Sequence, residues 1–211
     1  MGISKVTMIR HGETEWNVSM RLQGKRNSNL TPLGLKQVEL VAKALSKRSF
    51  DLLISSDQGR AVKTAEAINN YHNLNITLSE KLRERNFGIM EGLTREEIAI
   101  KFPEVHEGYM KRKSEFQIPE GESLVQFFSR ITGELTNIVN NYEGKNILII
   151  THGGVLDCTM RMVFSYSLDV SRNFSIFNAA INTFSIKNNK WNLEEWGNID
   201  HFSSIDTFDE I

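Results

Sequence analysis

Lys5-Val6-Thr7-Met8-Ile9-Arg10-His11-Gly12-Glu13-Thr14-Glu15-Trp16-Asn17 runs from an apolar stretch straight into a charged segment that opens Arg-His-Gly. A second stretch repeats the pattern: Lys145-Asn146-Ile147-Leu148-Ile149-Ile150 leads into Thr151-His152-Gly153-Gly154. Short apolar runs of this kind read as strands buried on both faces, as in a parallel sheet covered by helices. Such a sheet places its ligand crevice at the carboxyl ends of its strands, so both histidines are expected to open onto one site. The arginine beside the first histidine suits an anion there, since a guanidinium fork matches phosphate oxygens and glycine lets backbone approach closely.

Working outward, Asp51-Leu52-Leu53-Ile54-Ser55 reads as a third buried strand and Ile76-Thr77-Leu78 as a short one. Thr31-Pro32-Leu33-Gly34 marks a helix start, with Thr31 as N-cap and Pro32 at the first helical position. Val38, Val41, Ala42 and Leu45 then keep one face apolar. Ala61, Thr64, Ala65 and Ile68 predict a helix over residues 59–71, and Leu124, Phe127, Phe128, Ile131, Leu135, Ile138 and Val139 predict a longer one from Glu122 to Tyr142. Residues 83–121 break this alternation, hold Pro103 and Pro119, and read as a helical insertion over the crevice. Ala180 to Ile186 and Lys190 to Trp196 alternate around Asn188-Asn189, which predicts a hairpin or two late strands, with an edge strand available for a homodimer. The last dozen residues read as a surface tail. The expected fold is α/β: a three-layer sandwich with a mostly parallel central sheet flanked by helices, and a small helical cap over about 85–121, in one domain spanning 1–211.

A net charge of −1 gives no reason to expect nucleic acid held through phosphate neutralisation. No apolar run approaches membrane-spanning length, and the amino terminus shows no secretory leader, nor the Ser or Thr that myristoylation wants where Val6 stands. Cys158 is the only cysteine, compatible with a reducing cytoplasm, the expected compartment. His72, His106 and His201 join no compact ligand cluster, so no metal site is expected.

A neutral imidazole attacks phosphorus readily and leaves as a good group, which makes His11 a candidate nucleophile. Arg60, at the opening turn of a helix that follows a strand, is expected to point into the same crevice. Glu84, between Arg83 and Arg85, is a candidate acid. Lys111-Arg112-Lys113 reads either as a solvated patch or as a contact for a substrate carboxylate or second phosphate.

Taken together these segments resemble the histidine phosphatase superfamily, the clan of cofactor-dependent phosphoglycerate mutases and related phosphatases. The resemblance is carried by Arg10-His11-Gly12-Glu13-Thr14 with Asn17, Gln23-Gly24, Ser55-Ser56 leading to Arg60-Ala61 and Thr64-Ala65, Glu84 leading to Gly88 and Glu91-Gly92, Gly121-Glu122-Ser123, and Thr151-His152-Gly153-Gly154, in that order. It implies that His11 becomes phosphorylated, that Arg10, Arg60 and His152 bind the phosphoryl oxygens, and that Glu84 protonates the leaving oxygen. Asn17, Gln23, Gly24 and Gly153 would touch substrate, and no metal or other cofactor is implied. His11 must then be neutral, His152 most useful as a cation or hydrogen-bond donor, and Glu84 protonated when substrate is bound.

Mutases of this type carry a longer lid before Gly121, where only Ser114 to Glu120 stands here, and favour Tyr-Gly-x-Leu-x-Gly where this chain has Phe87-Gly88-Ile89-Met90-Glu91-Gly92. The expected activity is therefore hydrolysis of a small phosphorylated metabolite. Met20, Met90, Tyr109 and Phe116 are expected at the rim as specificity residues. The alternatives are a phosphoglycerate mutase, a fructose-2,6-bisphosphatase-like sugar phosphatase, or a non-catalytic module that binds phospho-ligands.

Overall fold

The computed structural model describes residues 2–202. In chain order run β1 (Ser4–Arg10), α1 (Glu15–Val18), α2 (Pro32–Leu45), β2 (Leu52–Ser56), α3 (Gly59–Asn69), β3 (Ile76–Ser79), α4 (Arg95–Lys101) and α5 (Pro103–Met110). There follow α6 (Leu124–Asn141), β4 (Asn146–Thr151), α7 (Gly153–Phe164), β5 (Ile181–Lys187) and β6 (Lys190–Asn198). The strands form one sheet in the order β3-β2-β4-β1-β5-β6, with β3 and β6 at its edges. β1, β2, β3 and β4 are mutually parallel where they pair, while β5 runs antiparallel to β1 and to β6.

Alternation along the strands sends side chains to two separate cores, as a pleat with a two-residue repeat requires. Val6, Met8, Ile147, Ile149 and Phe184 pack with Phe127, Ile131 and Leu135 of α6 and Val155 and Leu156 of α7. Ile9, Leu53, Leu148, Ile150 and Ile181 pack on the other face with Val41 and Leu45 of α2 and Ala61, Ala65 and Ile68 of α3. The three layers follow directly from strands that are apolar on both faces. Among the described residues no helix is long and apolar enough to cross a membrane.

Local signals place the element ends. Thr31 Oγ1 accepts from the Gly34 N–H at 2.9 Å with Pro32 at the first helical position, as its sequence predicts. Ser123 closes a capping box with Gln126, so α6 starts at Leu124 rather than Glu122. Asn188 and Asn189 both take positive φ, +51° and +60°, the conformation a tight two-residue hairpin needs. Gly12 and Gly34 let α2 sit directly on the chain leaving β1: a Cβ on Gly34 would lie 2.0 Å from the Glu13 carbonyl oxygen.

The insertion is helical, as expected, but built of short pieces: a 3₁₀ turn at Gly88–Met90, α4 and α5, around a small core of Met90, Ile98 and Ile118. Met90 is completely buried there, which corrects its expected place at the rim. The expected surface tail is corrected at its start, where Asp200–Phe202 forms a 3₁₀ turn and Phe202 packs with the α2–α3 core. The remainder of that tail lies outside the described residues.

Candidate active site

Arg10 and Thr151 face each other in the parallel pairing of β1 with β4, so the next residues, His11 and His152, leave adjacent strands side by side. Strand spacing of about 4.8 Å dictates their proximity, and their ring centroids are 5.3 Å apart. The backbone holds His11 from three sides. Its N–H donates to the Thr151 carbonyl at 3.0 Å, its carbonyl accepts from Asn178 Nδ2 at 2.9 Å, and the preceding Arg10 carbonyl accepts from the Ala179 N–H.

His11 Nδ1 lies 2.8 Å from the Gly12 carbonyl oxygen. A carbonyl only accepts, so Nδ1 carries the ring proton and Nε2 is left with a lone pair. Nε2 accepts from Arg60 Nε at 3.2 Å. Burial, then the charges of Arg60 and Arg10, push the His11 pKa well below the usual histidine value, so the ring is neutral. His152 is also neutral, with burial the largest cause and Arg60, His11 and Arg10 next. Of the two states expected for His152, cation or hydrogen-bond donor, this leaves the donor. Its Nε2 lies 2.8 Å from Ser56 Oγ, at the end of β2, and a neutral imidazole retains one N–H to donate.

Arg60 is only 1% exposed, which excludes a solvated surface arginine. Its guanidinium donates to the carbonyls of Arg26 (2.8 Å) and Gly24 (3.1 Å), and to Gln58 Oε1 (3.3 Å). Gln58 in turn accepts from the Glu84 N–H at 3.0 Å, tying the arginine to the candidate acid. Arg10 is equally buried, donating Nη1 to the Ile176 carbonyl at 2.8 Å.

Glu84 follows the 3₁₀ turn after β3, and both its carboxylate oxygens accept backbone hydrogens. Oε1 takes the Arg85 N–H at 2.7 Å and Oε2 takes that of Gly154, in the first turn of α7, at 2.9 Å. A Cβ on Gly154 would stand 2.1 Å from Glu84 Oε1, so only glycine permits this approach. Behind Glu84, Arg130 donates to the carbonyls of Lys81, Arg83 and Glu84 and to both oxygens of Glu122. Burial alone would raise the Glu122 pKa, but Arg130 and the Asn86 N–H hold it below the usual value.

Arg10, His11, Asn17, Gln23, Gly24, Arg60, Glu84 and Gly153 line one cleft of about 160 Å³, with Arg21, Leu22, Phe87, Gly154 and Arg172. Of the sequence-predicted site residues His152 alone is not in its wall; it is wholly buried behind His11. Asn17 and Gln23 also serve the loop itself. Asn17 Oδ1 accepts from the Thr14 N–H, while Gln23 spans Thr14 Oγ1 (2.8 Å) and Ser28 Oγ (3.2 Å). A second chamber of about 330 Å³ adjoins the cleft, sharing Glu84, Phe87 and Gly154. Tyr109, Phe116, Arg112 and Lys113 line it, whereas Lys111 pairs with Glu107 and Met20 is exposed outside both spaces.

Sequence reasoning gave no role to Asn178, Gln58, Ser56 or Thr64, whose hydroxyl accepts from the Gly12 N–H at 3.3 Å. Ser56 and Thr64 stand inside quoted motifs, so a signal existed; Asn178 lies in irregular chain with none. Among the described residues no group of three His, Cys, Asp or Glu side chains is gathered to hold a metal ion.

A family model described as histidine phosphatase superfamily (branch 1) matches residues 6–199. A metal-independent phosphoserine phosphatase of Arabidopsis thaliana is 32% identical over 206 residues, 96% of this chain and 85% of its own. Phosphoglycerate mutase-like protein 4 of the same plant is 32% identical over 203 residues, 94% of this chain and 86% of its own. Among solved structures, Bacillus stearothermophilus YhfR superposes with a TM-score of 0.88 at 28% identity, covering 95% of this chain and 100% of that one.

Proposed function

Because the chain belongs to the histidine phosphatase superfamily, we propose that it hydrolyses small phosphomonoesters through a phosphohistidine on His11. The observation that carries this reading is the state of His11: a neutral ring with its proton fixed on Nδ1 and its Nε2 lone pair beside Arg60, in a cleft shared with Glu84.

In the first half-reaction His11 Nε2 attacks phosphorus, the ester P–O bond breaks, and the protonated Glu84 gives its hydrogen to the departing alkoxide. Arg10 and Arg60 take up the charge on the phosphoryl oxygens, aided by the amino-terminal end of α7. In the second half a water gives its proton to the Glu84 carboxylate and its hydroxyl to phosphorus, the P–N bond breaks, and Nε2 regains its lone pair. The acid is thereby restored for the next cycle, and the balance closes without a further reactant. The relative named as a metal-independent phosphoserine phosphatase supports hydrolysis, as does the short segment before Gly121.

Rapid mixing with ³²P-labelled phosphomonoester and alkaline quench tests the proposal. Label is expected on His11 of the wild type, and His11→Ala is expected to lose nearly all phosphate release. Phosphate release with residue 11 unlabelled overturns the mechanism. Formation of 2-phosphoglycerate from 3-phosphoglycerate and bisphosphoglycerate, without net phosphate release, marks a mutase instead.

A further inference from the structure

Gln58 holds the N-cap position of α3, where Ser, Thr, Asp or Asn would accept an N–H of the first turn. Its side chain makes no such bond, and the Arg60 N–H goes instead to Asn27 Oδ1 at 3.0 Å. The side chain is nonetheless buried, only 6% exposed. Its amide nitrogen donates to the Gly24 carbonyl at 2.6 Å, while its oxygen accepts from the Glu84 N–H at 3.0 Å and from Arg60 Nη2 at 3.3 Å. A carbonyl only accepts and an N–H only donates, so the amide fits in this orientation alone.

One oxygen therefore meets the two groups that the mechanism above needs at opposite ends of the breaking bond: the guanidinium for the phosphoryl oxygens and the backbone of the proton donor. Arg130 grips the same residue from its other side, donating to the Glu84 carbonyl at 3.3 Å. The preceding Arg83 pairs with Asp57, the neighbour of Gln58. The segment that carries the acid is thus docked on the very turn between β2 and α3 that delivers Arg60.

We propose that Gln58 is a positioning residue for the phosphatase reaction assigned above: it sets the span from Arg60 to Glu84, so that the leaving oxygen reaches the acid when the phosphoryl oxygens are held. Loss of this key leaves both groups present but out of register, and about 1 Å of misplacement costs on the order of 100-fold.

Two variants test this. Gln58→Met keeps the length of the side chain and removes acceptor and donor together; Gln58→Glu keeps the acceptor and replaces only the amide nitrogen. For each, kcat/KM is measured on β-glycerophosphate, whose alkoxide must be protonated, and on p-nitrophenyl phosphate, whose leaving group departs without a proton, together with inhibition by inorganic phosphate. Gln58→Met is expected to lower the alkyl-to-aryl ratio about tenfold or more and to weaken phosphate inhibition about three- to tenfold. Gln58→Glu is expected to keep the ratio within about threefold of wild type. The ratio is taken within one preparation, so a loss of folded protein cancels, and a residue that merely supports the fold would leave it unmoved. An unchanged ratio or unchanged phosphate inhibition in Gln58→Met overturns the proposal, as does a ratio that falls as far in Gln58→Glu as in Gln58→Met. Turnover of both esters by the wild type confines such a failure to Gln58; a wild type that releases phosphate from neither ester overturns the phosphatase reading and this role with it.

Discussion

Gly154→Ala isolates the contribution of a correctly placed Glu84. The added methyl would lie 2.1 Å from Glu84 Oε1 and 2.9 Å from Phe127 Cε1. Relief to an ordinary contact of about 3.5 Å needs a displacement of more than about 1 Å. The Arg85 and Gly154 N–H bonds, at 2.7 and 2.9 Å, cannot both survive that shift. Misplacing a reacting group by about 1 Å costs on the order of 100-fold, and a general acid contributes roughly 10²- to 10⁴-fold. An alkyl phosphate, whose alkoxide must be protonated, should therefore lose about 100-fold in kcat/KM. p-Nitrophenyl phosphate, whose leaving group departs unprotonated, should lose less than about tenfold. Crowding should also cost about 1–3 kcal/mol of stability, read by urea denaturation. Adding Glu84→Gln should lower alkyl turnover little further, because both changes disable one group. Equal losses on the two esters, or full alkyl activity in the folded variant, would refute the role given to Glu84.

Acid should weaken the fold through the two site histidines. Their folded pKa values are pushed well below the usual 6.5 by burial and by neighbouring arginines, so the unfolded chain binds protons that the folded one refuses. Stability is then unaffected above that value and falls as pH drops from 7 to 5, by up to about 2 kcal/mol for each ring; denaturant titrations should show a shallower slope in His152→Gln, and an identical slope overturns the assignment. Arg130→Met should destabilise by about 2 kcal/mol, since Glu122 loses its cation and three carbonyls lose a donor; a change in melting behaviour below about 0.5 kcal/mol would show the arginine to be dispensable.

Elements whose signals are local were legible in the chain. Strands buried on both faces read as unbroken apolar runs, and the Thr31-Pro32 start of α2 satisfied its own helix end. The histidine pair was legible for the same reason: two strands of one type, each followed by His-Gly, become neighbours once they pair in register. The cap was legible as a helical insertion but its internal build was not, because its segments are too short for periodicity to show and are held by side chains reaching across sequence. Glu91 accepts from the N–H groups of Lys25, Arg26 and Phe87, and no pattern within residues 83–121 announces that. Met90 illustrates the limit, since only this folding-over turns an apparent rim residue into core. Asn178 and the neutrality of His152 were hidden likewise, one by irregular chain and the other by burial that only the assembled sheet creates.

The same arginines that make the cleft attractive to a dianion also keep the proposed nucleophile, His11, unprotonated, and these two effects are linked in time. Before substrate arrives, the charges of Arg60 and Arg10 help to exclude a proton from His11 Nε2, the attacking atom of the proposed mechanism. A bound phosphate offsets those charges and would by itself favour protonation of the ring. The Gly12 carbonyl limits that response by holding the existing hydrogen on Nδ1, so a second proton would have to compete with phosphorus for Nε2. Burial, the leading cause of the depressed pKa, persists with substrate in place. A nucleophile maintained by arginine charge alone would be weakened by the ligand it serves; one maintained first by burial and a fixed tautomer remains available when the phosphate lands.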